Sequence, residues 1–269
     1  MRICVIGFDS AWTDSAKVPG AICAVEIDAS GSRSFLQPVL ATFDQAIAFV
    51  KQQSARYELC LVAIDQPTIV NNLRGSRPVE RVVATAISYV GGGVQPANRS
   101  KENMFGDDAP IWRFKSALNG SDDVETCNPN CKGLFIAEVF PAFSLLTFNS
   151  AFWGRKLAPK YNPVNKRMFK LSDWKSVATT LAKIARDEGL SGAAEWADQQ
   201  AINPMPRKAD QDRLDSLICA LIGMRWVFGD RDENVMIGDL AEGYIISPCA
   251  APIRKRLTEK AQQKAVSLK

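Results

Sequence analysis

Apolar positions along the chain come first as short continuous runs and later as helical stripes. Residues 2–8 form an apolar run with β-branched members, closed by Asp9-Ser10, which predicts a buried strand. Residues 21–28 read as a second strand, Ser30-Gly31-Ser32 as a hairpin turn and residues 33–41 as a third strand. Phe43, Ile47, Ala48 and Val50 then recur at helical spacing behind Thr42, a residue suited to cap a helix. The fully apolar run 59–64 ends at Asp65-Gln66-Pro67 and predicts a fourth, central strand. Residues 66–133 break the pattern: they are rich in Gly, Pro, Asn and charge, with one amphipathic piece near 79–90 and otherwise the character of long loops. Loops of that length in a compact domain are usually functional. Pattern returns at 134–140, a fifth strand with Glu138 near its end, and then as helical stripes over 173–188 and 209–228. A hairpin-like pair (235–237 and 244–246) and a basic segment from Arg254 to Lys269, expected as a solvated or frayed helix, close the sequence.

Three strands, a helix, a strand, a large insertion, a strand and further helices imply an α/β fold. The expected sheet is mixed and five-stranded, antiparallel at first and then parallel through β-α-β units, with helices on both faces. This is the element order of the ribonuclease H-like fold. Residues 1–250 are expected to form one such domain with the insertion at 66–133, and residues 251–269 a basic tail. No internal repeat or low-complexity segment is visible.

Composition narrows the chemistry. The 269 residues include no histidine, which excludes Ser-His and Cys-His catalysis, imidazole acid/base work and every metal site needing a His ligand. The net charge is only +4, so any attraction to nucleic acid has to be local. Residues 1–9 lack the basic and apolar regions of a secretory signal, and no apolar run is long enough to span a membrane. Seven cysteines, an odd number set mostly in apolar runs, suggest reduced core thiols and a cytoplasmic location.

Among the 29 acidic residues a few stand out by position. Asp9 follows the first strand, Asp65 follows the fourth and Glu138 lies in the fifth. Asp212 and Asp215 stand three apart on the last long helix and so share a face, with Asp210 offset. Ligands of open α/β sheets gather at the carboxyl ends of central strands. Carboxylates that close repel one another unless cations neutralise them, and an all-oxygen set suits Mg2+ or Mn2+. Two such ions can flank a phosphate, one activating water and one stabilising the leaving oxygen. Plainer readings stand beside this one: an Asp after a strand is often a turn residue, and Asp210 and Asp212 suit the start of a helix electrostatically. Asp215 is harder to read that way because it interrupts an apolar stripe, and Glu138 would be costly to bury without a partner.

Five segments carry a family resemblance: Ile6-Gly7-Phe8-Asp9-Ser10-Ala11-Trp12, Ala63-Ile64-Asp65-Gln66-Pro67, Arg77-Pro78-Val79-Glu80, Glu138-Val139-Phe140-Pro141-Ala142 and Lys208-Ala209-Asp210-Gln211-Asp212-Arg213-Leu214-Asp215. In kind and order they resemble the signature blocks of domain-of-unknown-function family 429, described as predicted ribonuclease H-like nucleases. The resemblance runs from Asp9 to about Pro248. It implies a ribonuclease H-like fold and a metal-dependent phosphodiesterase site at Asp9, Asp65, Glu138 and Asp215, with Asp212 adjacent. The sequence departs from the family in having Glu80 where the acid is often Asp, and in a long Asn/Lys-rich segment after Gly93.

Residues 152–175 interleave Arg155, Lys156, Lys160, Lys166, Arg167, Lys170 and Lys175 with Phe152, Trp153, Tyr161, Phe169 and Trp174. That mixture suits single-strand binding, or equally a basic connection whose aromatics anchor the core. Arg77 is a candidate phosphate clamp close to Asp65, or else a partner of Glu80. Lys208 stands one helical turn before Asp212, placed to pair with it or to reach a substrate oxygen. Gly91-Gly92-Gly93 is no phosphate loop, since no Gly-Lys-Ser/Thr follows, and is expected as a hinge; Cys127 and Cys131 have no second pair to complete a zinc site.

The leading expectation is therefore a phosphodiester hydrolase acting on nucleic acid. Asp9, Asp65, Asp212 and Asp215 would hold Mg2+ or Mn2+, Glu138 would complete the catalytic set, and Arg77, Lys166, Arg167 and Lys208 would contact substrate. A phosphotransferase of the actin and sugar-kinase superfamily and a non-catalytic scaffold are the alternatives. No protein partner can be named from the sequence.

Overall fold

The computed structural model describes residues 1–269. The first strands are β1 (Ile3–Asp9), β2 (Gly20–Ile27) and β3 (Arg33–Ala41), followed by α1 (Phe43–Ser54) and β4 (Leu59–Ile64). Helix α1 starts where Thr42 and Gln45 cap each other, the Thr42 hydroxyl accepting from the Gln45 amide and the Gln45 side chain from the Thr42 amide. The insertion contains α2 (Pro78–Tyr89), α3 (Glu102–Phe105) and α4 (Pro110–Leu118) and leads into β5 (Gly133–Glu138). Then come α5 (Pro141–Phe148), α6 (Leu171–Asp187), α7 (Ser191–Ala201), α8 (Lys208–Phe228), β6 (Asn234–Asp239), β7 (Gly243–Pro248) and α9 (Ala251–Gln263).

The central sheet has five strands in the order β3-β2-β1-β4-β5. Strand β1 is antiparallel to β2, and β2 to β3, whereas β1 is parallel to β4 and β4 to β5. The chain is thus α/β with a mixed five-stranded sheet flanked by helices. Alternation along the strands divides the apolar residues between two cores. On one face Val5, Leu61 and Ala63 pack with α2, α6 and α8; on the other Ile6, Phe8, Val62 and Ile64 pack with α1 and α4.

Helix α8 is buried along most of its length; beyond Asp215 it is apolar or small on nearly every side, Arg225 excepted, and its charged residues lie in the turns before that. It lies unusually close to β1. A Cβ on Gly7 would stand 2.0 Å from the Ser216 carbonyl oxygen, and one on Gly223 would stand 2.6 Å from Val5 Cγ1. The two glycines let helix and strand meet backbone to backbone.

The structure departs from the sequence reading in three places. The insertion is largely helical: α2 packs in one core and α3 and α4 supply Phe105, Ile111 and Phe114 to the other. Helices α5 and α7 were hidden because short Ala- and Phe-rich stretches show little contrast between faces. Residues 251–269 are docked rather than frayed, for α9 buries Ile253, Leu257 and Ala261, and Leu268 pairs with Ile237 at the edge of the β6–β7 hairpin. No helix is long and apolar enough to cross a membrane.

Candidate active site

Strand parity places the acids. Asp9 is two residues beyond Gly7, and Asp65 two beyond Ala63, so both carboxylates face α8 at the carboxyl ends of adjacent parallel strands. Because Gly7 lets α8 approach so closely, Asp212 and Asp215 arrive beside them. Asp9, Asp212 and Asp215 are each less than 9% exposed.

Asp215 accepts hydrogen bonds from the Tyr161 hydroxyl at 2.8 Å and from Gln211 Nε2 at 3.0 Å. Burial pushes its carboxyl up to about 6, against the lowering influence of Tyr161 and Lys208. Asp9 and Asp65 accept no hydrogen bond on their carboxylates, and only Lys208 opposes the rise. Burial raises both well above the usual carboxylate range, and repulsion from Asp215 raises them further. Asp65 adds to the strain on Asp9, and Glu138 to that on Asp65. Lys208 ion-pairs with Asp212 across one helical turn. Its ammonium is disfavoured by burial, but Asp9 and Asp212 outweigh that and hold its pKa above the ordinary value.

Glu138 belongs to a different arrangement. It is registered with Ile64, not with Asp65, and so has the parity of the opposite face. Its two oxygens accept from Arg77 Nη1 at 2.8 Å and Nη2 at 2.6 Å, and one also accepts from the Thr68 amide. Arg77 is only 1% exposed, and it donates further to Glu80 and to the Ile69 carbonyl. Burial works against its charge, but Glu138 and Glu80 outweigh this and keep it protonated. The pairing with Glu80 is thus the one realised. The guanidinium is committed to carboxylates, which corrects the expectation of a phosphate clamp. Breaking such a buried pair by removing Arg77 would leave two acids uncompensated, at a cost of about 3–5 kcal/mol. Asp210, the third acid of the α8 start, accepts from the Arg207 amide at 2.9 Å and serves the helix end.

The basic segment resolves residue by residue. Trp174 and Phe152 are buried core anchors, and Trp153 packs on Tyr89 with ring centroids 5.2 Å apart. Tyr161 alone enters the acid cluster. It roots a loop closed by a hydrogen bond from the Lys170 amide to the Lys160 carbonyl, and Lys166 and Arg167 are exposed on that loop. The stretch before Tyr161 is fastened to the end of α2: the Lys156 amide donates to the Tyr89 carbonyl, the Ala158 amide to Val90, and Lys160 Nζ to Gly91. Gly91-Gly92-Gly93 is therefore a tied turn rather than a free hinge.

Tyr161 and Gln211 are site residues that the sequence reading did not single out. Gln211 was readable, being one helical turn before Asp215; Tyr161 was one aromatic among several, with no pattern to separate it. Trp12 is another. Its indole donates to the Asp65 carbonyl at 2.8 Å, and its backbone takes φ +46°, a conformation costing a bulky residue ~1–3 kcal/mol that its surroundings must offset.

As a donor set for a hard divalent cation, the acids fit in kind: all oxygens, no imidazole, and two carboxylates without structural partners. They are gathered without being closed around a point, since no three Asp, Glu or Cys side chains converge in metal-holding geometry. The seven cysteines are all free thiols, Cys127 and Cys131 included.

No curated protein and no solved structure matches the chain. A family model does, over residues 7–240, a span that holds Asp9, Asp65, Glu138, Asp212 and Asp215 together with every strand of the central sheet but the first residues of β1. The chain therefore belongs to the family described as Protein of unknown function (DUF429).

Proposed function

We propose that the chain is a divalent-cation-dependent phosphodiester hydrolase acting on nucleic acid, on a ribonuclease H-like fold. One observation carries the reading. Asp9, Asp65 and Asp215, from two adjacent parallel strands and the helix laid across them, are gathered at the carboxyl edge of the sheet, Asp9 and Asp215 buried and Asp65 half-buried, with their proton affinities raised. Proteins do not ordinarily assemble unpaired buried acids for stability, since each raises the energy of the folded state at neutral pH. The strand order, antiparallel on one side of β1 and parallel on the other, is consistent with the proposed fold.

In this reading Asp9, Asp65 and Asp215 would hold Mg2+ or Mn2+, with Asp212 beside them. The cation would supply an activated water and charge stabilisation on the phosphate. Tyr161 and Gln211 orient Asp215. Lys208 offsets part of the acids' charge and would contact a substrate phosphate held there. Lys166 and Arg167, on the loop rooted at Tyr161, meet the strand further out. Glu138 acts through Arg77 and Thr68, fixing the start of α2 and the turn after Asp65. Seven free thiols suit a reducing compartment, and we place the protein in the cytoplasm. The kinase-like alternative loses ground because that superfamily repeats its core, whereas here there is one five-stranded sheet and a two-stranded hairpin.

The test is a cleavage panel in Mg2+ and Mn2+ with labelled single-stranded RNA, single-stranded DNA, an RNA–DNA hybrid and a four-way junction. Cleavage is expected from wild type and not from Asp9→Asn or Asp65→Asn. Equal cleavage by these variants, or none by wild type on any substrate, would overturn the proposal and favour a non-catalytic scaffold.

A further inference from the structure

Beside Asp65 the structure holds a cavity of about 210 Å3. Trp12 and Phe140 supply aromatic surface to its wall, Val94 and Gln95 form part of its rim, and the buried Arg77–Glu138 pair lies at its floor. Trp12 is fixed there by its hydrogen bond to the Asp65 carbonyl and by an edge contact with Phe105, ring centroids 5.5 Å apart. Its left-handed backbone, rare for a bulky side chain, shows how firmly the surroundings determine that position. The charge around the cavity excludes an anion: Asp65, Glu138 and Glu80 outnumber Arg77, whose guanidinium is already bound. Aromatic walls, an exposed amide on Gln95 and a net negative floor favour a neutral, flat, hydrogen-bonding group. The volume has room for one heterocyclic base and not for a base pair.

We infer that this cavity receives a single unpaired nucleobase, and that the substrate is consequently single-stranded or locally opened nucleic acid. The identity of the ligand rests on the nuclease reading above; the preference for a neutral planar group does not. Stacking on Trp12 would seat the base and set its flanking phosphate against the acid cluster. Sequence preference would be slight, because every base has a face to stack.

Binding measured in metal-free buffer, where strands stay intact, tests this apart from cleavage. The probes are an eight-residue oligothymidylate, the same backbone with tetrahydrofuran abasic sites throughout, and a blunt duplex. Oligothymidylate is expected to bind about tenfold more tightly than the abasic strand, in line with the known worth of base–aromatic stacking. The duplex should bind no better than the abasic strand. Trp12→Ala should remove the tenfold advantage while leaving abasic affinity as it was, and Trp12→Phe should restore most of it. Equal affinity for the first two probes, preference for duplex, no binding to any probe, or a Trp12→Ala loss shared by both strands would each overturn the inference. Base-dependent binding without cleavage in the panel would remove the nuclease reading and leave the pocket; cleavage without base dependence would do the reverse.

Discussion

Asp215 carries the proton that is easiest to follow. Its folded-state value of about 6 lies above the ordinary 3.8, so its protonated form is favoured by folding. The stability it contributes is complete below pH ~4 and is lost as pH rises through about 6, a difference on the order of 3 kcal/mol. Metal-free protein should accordingly gain thermal stability when acidified from pH 7.5 to 5, and Asp215→Asn should reduce that dependence, leaving the part that Asp9 and Asp65 supply. A melting series in chelator at half-unit pH steps checks both. Tyr161→Phe removes a hydrogen bond that favours the charged carboxylate, so Asp215 should titrate higher still. The rise in stability would then begin at a higher pH, and the acid limb of any cleavage profile would move the same way. At this scale the sequence was a fair guide to Asp9, Asp65 and Asp215, each of which ends or interrupts an apolar pattern. It was a poor guide to Arg77 and Glu138, since their pairing depends on a strand register and on a helix start 61 residues apart that no local pattern encodes.

Elements carry these residues into place, and the decisive contact is between α8 and β1. Gly7→Ala would put a methyl carbon where the Ser216 carbonyl oxygen and the Ala220 amide now lie. Helix or strand must then shift. The expected cost is ~2–3 kcal/mol in stability, with about a hundredfold loss of activity through displaced acids. Thermal unfolding and a cleavage assay on the same variant measure the two. If activity survives while stability falls, the seam is structural and does not set the site. The strands and long helices were legible because burial on both faces gives unbroken apolar runs, and one-sided burial gives stripes. The insertion was not, because α3 and α4 are too short to show a period and are flanked by Gly, Pro and Asn, which read as loops. Docking of α9 was equally invisible: its basic surface dominates its composition, and only Ile253, Leu257 and Ala261 mark its inner face.

At the scale of the whole molecule the acid cluster is a reserve of unfavourable charge, held by two cores. Anything that neutralises it in the folded state alone should stabilise the entire chain. Mn2+ at a hundred times its dissociation constant is expected to raise the melting temperature by roughly 5–10 °C at pH 7.5. In Asp9→Asn combined with Asp65→Asn that rise should vanish, although the double variant should itself melt higher than wild type without metal. Calorimetric melts with and without Mn2+ decide it. A rise of equal size in the double variant would place the cation elsewhere.

The fastening between the end of α2 and the stretch before Tyr161 has a consequence for how the molecule opens. Two backbone amides and one ammonium bind the carbonyls of Tyr89, Val90 and Gly91, while Val94 and Gln95, a few residues on, border the cavity beside Asp65. The two margins of the site are thus joined through residues 89–91 and are expected to loosen together. Cavity rim and Tyr161 should behave as a single cooperative unit of local unfolding, read as equal hydrogen-exchange protection of the Lys156, Ala158 and Lys170 amides, so that the cluster is exposed to water in one event rather than by independent flickering of two loops.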